Sequence, residues 1–576
     1  MTKKDYKCMG ALMLLFALLA FFRLGNTYAP ETSYRTTQAN RDIILDFGSY
    51  IDIGSIDVFL GNLNSRHFSV SVFNEVTGSW EVINGDAKVE SVFAWNTIDI
   101  GYNTRYLGLV SLDEEGIFNE FVAVGLDGTP ILPENAGDYK ALFDEQETYP
   151  ETKTYMASTM FDEVYHGRTA YEFLHGLTTY ETTHPHLGKI IIALGVGIFG
   201  MNPFGFRIMS ALFGILMVGI MYVFARKMFG STFIATVTAS LLTFDCMHYT
   251  LSRIATIDIF IATFILMMYY FMYDYFVKDH TARLTYSHIN SEADSDAPSV
   301  QPGSARAIPM PISRDLLLPL GLSGISMAFA VATKFTGIYA GAGLGILFIW
   351  YTLTHFPKKQ VWKLFFFCCG SFIVLPLLIY TLAFIPVVGY TEYNGLIDKT
   401  IQGTLSMYDY HANLVAEHYY SSPFYEWPII WMPLLYANDA VGAADVSAVS
   451  CMGNPAIWWP GILCVFFTVY RWLIKKDKKA GFLTIAYLAQ YIPWMSVGRI
   501  TFIYHYFPAI LFTILMLGYV ADLITNRFKN GKKVVIGYMA VVIIIFVIFF
   551  PVISGLPIDR ELGMKLRWLK DWILVL

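Results

Sequence analysis

The sequence predicts a polytopic α-helical membrane protein with a β-sheet domain inserted after its first span. Three observations predict this. Only 15% of the 576 residues are charged and 55% are hydrophobic, whereas soluble domains carry about a quarter charged residues. Runs of roughly 20 apolar residues, enough to cross a bilayer core, recur along the chain. Between the first run and the rest lies a stretch of short, alternating, β-rich segments.

The opening "MTKKDYKCMGALMLLFALLAFF" is basic and then apolar. No small-residue cleavage site follows it, so residues 1–30 read as a cytoplasmic N-terminus and a retained first span. Lys3, Lys4 and Lys7 set that orientation. Residues 31–150 contain "HFSVSVFNEVTGSWEVI", "VFAWNTIDIG", "RYLGLVSL" and "FNEFVAVGLDG", punctuated by Gly, Asn and Asp. They read as an antiparallel β-sandwich on the far side of the membrane. Residues 151–555 supply further spans starting near 204, 231, 255, 315, 336, 361, 457, 480, 502 and 532. With the first, that makes about eleven.

The apolar run at 187–200 is short for a span. The basic loops decide its placement. If it does not cross, "ARKMFG", the 278–314 loop, "PKKQVWK", "RWLIKKDKK" and "NRFKNGKK" all face the cytoplasm, as the positive-inside rule requires. If it crosses, every one of them flips outward. It therefore reads as an interfacial or re-entrant helix. The acidic stretch at 161–163, the β-rich segment and the loop 387–455 then share the external face. Most of the 278–314 loop, "TYSHINSEADSDAPSVQPGSARAIPMP", reads as a flexible connection. The basic tail 556–576 would also lie outside, and its apolar spacing suits an amphipathic helix resting on the membrane. Six cysteines are present, none of them in 31–150, which argues against an external disulfide framework. The net charge of −6 gives no sign of nucleic-acid binding.

Charges gather at the external ends of these spans: Asp162 and Glu163 in "FDEVYHGRTAYEFLHG", Arg207, Asp258, Lys334, Arg499 and His505. Cations beside external turns run against the positive-inside bias, and charges entering a span are costly. Several on one face indicate a polar cavity open to the outside. Carboxylates serve as general bases, while Arg and Lys hold phosphate. Together they suit transfer from a lipid-phosphate donor to a hydroxyl. Phosphate is a good leaving group, so one carboxylate suffices and cations stabilise the departing anion. Each residue also has a plainer reading. The acidic pair complements a helix dipole, Asp258 is a turn residue, and Lys334 snorkels. Arg499 meets lipid headgroups and His505 anchors at the interface. HExxH, CxxC, P-loop and GxSxG patterns do not occur.

"FDEVYHGRTAYEFLHG", "HPHLGKIIIALGVGIFGMNPFGFR", "ATKFTGIYA", "YHANLVAEHYYSSPFYEWP", "GNPAIWW" and "RITFIYHYFP" resemble, in order, the protein O-mannosyltransferase family. The resemblance implies the GT-C membrane fold and a polyprenyl- or dolichyl-phosphate mannose donor with no further cofactor and no metal. It also implies inverting transfer to Ser or Thr of a protein acceptor. By the same resemblance Asp162 and Glu163 are the essential acidic pair, with Asp162 as base and Glu163 then holding a cation such as Arg207 or orienting the acceptor, and Arg207 is an arginine of the early core. Arg207, Asp258, Lys334, Arg499 and His505 are then expected on the donor side, and His411 and Asn413 of "YHANLVAEH" on the acceptor side. His186 departs from the pattern, standing where a second proline is usual. The loop 387–455 is too short for the β-trefoil of the eukaryotic enzymes, which implies a bacterial member in the plasma membrane. The extra segment 31–150 resembles, more weakly, a discoidin-like (factor 5/8 type) jelly roll, which leaves two roles open: binding a glycan, or packing and acceptor docking. Two rivals remain: a GT-C enzyme acting on a glycan or lipid, and a transporter or sugar sensor. The internal repeat common in transporters is not evident in the sequence.

Overall fold

The computed structural model describes residues 1–61, 66–293, 312–389 and 392–576. Much of the connection expected at 278–314 thus lies outside the described residues. Among the described residues, eight helices are long and apolar enough to cross a membrane. They are α4 (Pro203–Phe229), α7 (Asp258–Ala293), α8 (Arg314–Thr333), α9 (Thr336–His355), α10 (Lys358–Cys369) continued through a π-helical turn into α11 (Leu375–Leu382), α13 (Pro455–Leu473), α15 (Phe507–Arg527) and α16 (Gly531–Ser554). The other three predicted spans coincide with helices that are shorter or carry more charge: α1 (Lys3–Phe21), α5 (Thr232–Thr243) with α6 (Cys246–Leu251), and α14 (Lys478–Tyr491).

Buried polar contacts sort the helix ends into two sides. On one side Asp5, in the first turn of α1, accepts from Tyr222, Arg226 and Thr232. This joins the N-terminus to the α4–α5 turn. On the other side Arg253, after α6, donates to the carbonyls of Phe22 and Arg23 after α1 and of Ser554 at the end of α16. Tyr155 Oη donates to the carbonyls of Arg23 and Ser554 as well. Lys334, after α8, pairs with Asp258 at the start of α7. The chain therefore alternates sides at each span.

Two further helices lie on the second side. These are α2 (Glu163–His175) and α3 (Leu187–Phe199). At 1.5 Å per residue the 13 residues of α3 span about 20 Å, short of a bilayer core of about 30 Å. The β-rich segment follows α1 on this same side. Its strands are β1 (Tyr34–Thr36), β2 (Asp42–Leu60), β3 (Arg66–Asn74), β4 (Ser79–Val89), β5 (Ala94–Ser111), β6 (Gly116–Phe118), β7 (Glu120–Gly125) and β8 (Pro130–Ile131). They form an antiparallel six-stranded sheet of order β4-β3-β5-β2-β7-β8 and a two-stranded β1–β6 ribbon. The alternation in "HFSVSVF" becomes β3, whose Phe68, Val70 and Val72 enter a core shared with Phe118 and Phe121. Val164, Tyr171 and Met201 pack against that core, so α2 joins the sheet domain to the helices.

The 387–455 region is more ordered than a loop. It holds α12 (Leu396–Asn413) and a hairpin of β9 (Leu434–Val441) and β10 (Asp445–Cys451). The tail corrects the sequence reading. After β11 (Pro557–Asp559), which pairs with β10, only a short helix α17 (Arg560–Met564) forms. The rest folds back on the hairpin: Trp572 and Leu574 are fully buried, Trp572 Nε1 donates to the Ile430 carbonyl, and Ser450 Oγ donates to that of Leu574. The apolar residues of the tail that looked membrane-directed are partly core residues of this sheet.

Candidate active site

The acidic pair splits into two environments. Glu163, the first residue of α2, is fully buried. Arg207 of α4 grips its carboxylate with two nitrogens, each at 2.7 Å. The amides of Met160 and Ala255 donate to it as well, both at 2.8 Å. The remaining guanidinium contacts go to the carbonyls of Leu24, Tyr155 and Ser158. Every polar atom of this pair is matched, as a buried ion pair requires. Arg207 has no face left for a phosphate, which corrects the donor-side role expected of it. It locks the start of α2 to α4 and to the turn before α7.

Asp162 is the N-cap residue of α2 and half-buried, and its side chain makes no capping hydrogen bond. Its carboxyl pKa is pushed up to about 7, first by burial, then by the negative charge of Asp258, with Lys334 opposing. A carboxyl tuned to neutral pH with a free acceptor face is suited to take a proton from a hydroxyl. The residue before it, Phe161, adopts a left-handed backbone with φ +48°. Strain of this kind persists only where the surroundings over-determine it. Here the Phe161 ring is enclosed by Tyr436 of β9 (5.1 Å), Phe502 (6.1 Å), Tyr504 (6.3 Å) and His418 (6.4 Å).

The other predicted residues fall around Asp162 from separate elements. Lys334 Nζ meets Asp258 at 2.8 Å and lies 5.5 Å from the Tyr504 ring centre. Asp258, Lys334, Tyr339, Gln490, Trp494 and His505 line one small cavity. His505 is buried between the rings of Trp427, Trp494 and Tyr504, and its Nδ1 accepts from the Phe502 amide at 3.1 Å. Arg499 is half-buried and, among the described residues, has no ion-pair partner. It lines a polar pocket of about 400 Å³ with Ser421, Ser422, Thr501 and Trp494. His411 of α12 bonds the Thr183 carbonyl through Nε2 and sits 5.1 Å from His184. Asn413 is exposed and turned back on Asp409, so it does not join the cluster.

Sequence reasoning missed two features. The first is a buried group behind Asp162. Glu181 pairs with Lys189 and contacts His184, while His166 is buried with an unmatched Nδ1. Burial alone would raise the Glu181 pKa, but Lys189 and His184 hold it well below the usual range. Burial drops His166 to about 3 and His411 to about 4. These imidazoles are neutral at neutral pH, and the charges of the group are those of Glu181 and Lys189. The histidines of "HPHLGK" were visible in the sequence, but their convergence with α12 was not. The second is an apolar groove of about 700 Å³ between α9 and α14, lined by Ile338, Tyr339, Ile346, Trp350, Leu488 and Pro493 among others. Ile338 to Trp350 spans about 18 Å of helix. Tyr339 belongs to both the groove and the Asp258–Lys334 cavity, and Trp494 links that cavity to the Arg499 pocket. Groove, lysine cavity and arginine pocket are thus neighbours that share a lining residue at each step.

Among the described residues, one acidic cluster has ligand atoms close enough for a metal: Glu120, Asp144 and Glu145. Its oxygens already accept from the Glu31 and Thr32 amides, the Thr32 hydroxyl and Gln146, so it serves to fasten the sheet domain.

Residues 183–289 match the family described as dolichyl-phosphate-mannose-protein mannosyltransferase, and residues 396–572 match the C-terminal four-span region of protein O-mannosyltransferase. Both matches are to the protein O-mannosyltransferase family. The polyprenol-phosphate-mannose–protein mannosyltransferase of Mycobacterium tuberculosis is 24% identical over 468 residues, covering 72% of this chain and 86% of the relative. That of Corynebacterium glutamicum is 23% identical, covering 68% and 81%. Among solved structures, the Saccharomyces cerevisiae Pmt1–Pmt2 O-mannosyltransferase complex bound to the sugar donor superposes with a TM-score of 0.58 at 17% identity, covering 72% of this chain and 89% of that one. The family's GT-C fold is therefore that of the helical part here, and the chain is an integral multi-pass membrane enzyme of the glycosyltransferase class.

Proposed function

We propose that the protein transfers mannose from polyprenyl-phosphate mannose to Ser or Thr hydroxyls of proteins, on the external face of a bacterial plasma membrane. The observation that carries the reading is a row of neighbouring cavities: the apolar groove between α9 and α14, the Asp258–Lys334 cavity that shares Tyr339 with it, and the Arg499 pocket that shares Trp494 with that cavity. A polyprenyl tail fits the groove. Its phosphate meets Arg499, whose charge is not spent on any carboxylate, and Lys334, which is shared with Asp258. The anomeric carbon is then held at the end of the tether, at the level of Asp162. Asp162 takes the hydroxyl proton as the oxygen attacks the anomeric carbon from the face opposite the phosphate. The phosphate leaves with the bonding pair, stabilised by the two cations, and the anomeric configuration inverts. Neutral His184 and His411 frame the side from which the acceptor enters.

The relatives named for protein mannosylation support the donor and acceptor classes, and the clustering of basic loops on the side opposite Asp162 supports the external placement. On this reading the sheet domain is a recognition module that engages a glycan outside the membrane. The deciding experiment uses purified enzyme, polyprenyl-phosphate [14C]mannose and a Ser/Thr-rich peptide. Label should enter the peptide with release of polyprenyl phosphate. Label entering only a glycan or lipid acceptor would replace this reading with the rival GT-C activity.

A further inference from the structure

A second cavity, of about 660 Å³, lies at the junction of the sheet domain with the C-terminal ends of α2 and α3. Its size falls in the range of small-molecule sites. It is separate from the catalytic cluster: Asp162 caps the N-terminus of α2, whereas Tyr171 and His175 line this cavity from the other end of that helix, up to about 20 Å away.

The lining offers hydrogen-bonding groups that the protein itself does not use. Asn119 is 9% exposed. Its Oδ1 accepts from the Gly61 amide, and its Nδ2 has no partner among the described residues. The Glu31 amide is bound to Glu145, and among the described residues no hydrogen bond engages the Glu31 carboxylate. That carboxylate lies near enough to Tyr171 to add to the effect of burial in raising its phenol pKa. His175 uses Nδ1 on the Tyr171 carbonyl, which leaves Nε2. The Ser33 hydroxyl is likewise unengaged. The rings of Tyr171 and His175 stack at 3.9 Å, and Phe93 abuts Tyr171 at 5.3 Å. No lysine or arginine lines the cavity.

This combination selects the ligand class. A carboxylate without a cation repels phosphate headgroups and nucleotides. Alternating amide donor, carboxylate acceptor and hydroxyl match groups that both donate and accept, as sugar hydroxyls do. An aromatic stack beside them provides an apolar face for the C–H side of a pyranose ring. We infer that this cleft is a binding site for a neutral glycan, distinct from the donor site. It gives the recognition role proposed above for the sheet domain a location, and it rests on that external placement. A mannosylated acceptor held here would be tethered beside the catalytic helix, which raises its effective concentration at Asp162.

The test is ligand-observed NMR and calorimetry on the full-length protein in lipid nanodiscs, with α-mannobiose, α-mannotriose and lactose as probes. At least one probe should bind. Binding should weaken at least tenfold in His175→Ala and in Glu31→Gln, both at exposed positions, and in Asn119→Ala. Unchanged melting temperatures check that these variants fold. Asp162→Asn should bind the same probe as wild type while losing transfer, so failure here and failure of the transfer reading are distinguishable. Absence of binding by all three probes overturns the inference. So does binding that survives the cleft variants. A phospholipid retained in native mass spectra of wild type and lost from the cleft variants would also overturn it.

Discussion

Asp162 and Glu163 are adjacent, yet their surroundings give them opposite tasks. Glu163 is spent on Arg207, while Asp162 is kept unpaired and near neutrality. Asp162→Asn preserves shape and removes basicity. Turnover should fall at least about a hundredfold, the lower bound for a general base, with donor affinity unchanged in equilibrium binding. A near-normal rate would move the base elsewhere. The pH profile gives a sharper check. A carboxyl raised to about 7 is active above that pH and protonated below it, so kcat/KM should drop about tenfold per unit on the acid side. Asp258→Asn removes a neighbouring negative charge and frees Lys334. Both changes favour the Asp162 anion, so the acid limb should shift to lower pH. A limb that stays in place would mean that another group titrates. Glu163→Gln or Arg207→Met leaves a buried charge unmatched. Either should cost about 3–5 kcal/mol of stability and show as a lowered melting temperature and poor expression. Arg207 is thus a positioning residue, and loss of donor binding in a well-folded Arg207 variant would contradict that.

At the scale of elements, the spans and their order were legible because hydropathy and loop charge act locally along the chain. The ten later span starts lie near helix starts from α4 to α16, and the short run at 187–200 is the 13-residue α3. The resemblance already pointed to Glu163, and not Asp162, as the partner of a cation such as Arg207. What was not legible is long-range: the full burial of that lock, and two further features. The tail's apolar spacing read as membrane-directed because the groups that Trp572, Leu574 and Leu576 bond, Ile430, Ser450 and Asn438, are more than a hundred residues away. The left-handed Phe161 has no signature of its own, since the strain is imposed by rings from three other segments. The prediction at this scale concerns sidedness. In a cysteine-depleted background, Glu151→Cys should react with an impermeant maleimide in intact cells and Lys359→Cys should react only after permeabilisation. Both positions are exposed. The reverse pattern would mean that α3 crosses the membrane and that the catalytic side faces the cytoplasm.

Across the whole molecule, the C-terminal tail bears on the active site through a traceable chain of contacts. Leu574 braces the β9–β10 hairpin through the Ser450 hydroxyl, and the fully buried Trp572 fastens the tail to Ile430, just before β9. The hairpin carries Tyr436, which packs on Phe161, and Asp439, which accepts from the Tyr155 amide at 2.8 Å. Tyr155 in turn gives its carbonyl to Arg207. Phe161 and Arg207 then set the position of Asp162 from its two sides. A tail lying on the membrane would be dispensable for both stability and catalysis. A tail that is part of this core would not. Trp572→Ala empties a fully buried indole site and should cost about 3–5 kcal/mol, the usual range for large aromatic truncations. It should also lower kcat more than it changes KM for the donor, because the groove between α9 and α14 is built without the hairpin. Trp572→Phe keeps most of the buried volume and loses the hydrogen bond to Ile430. It should therefore recover most of the stability and most of the rate. Thermal unfolding in detergent and initial rates with labelled donor measure both quantities on the same preparations. If Trp572→Ala melts like wild type, the tail is peripheral. If it melts early but the surviving folded fraction turns over at the wild-type rate, the tail stabilises the hairpin without holding Phe161 in its strained conformation.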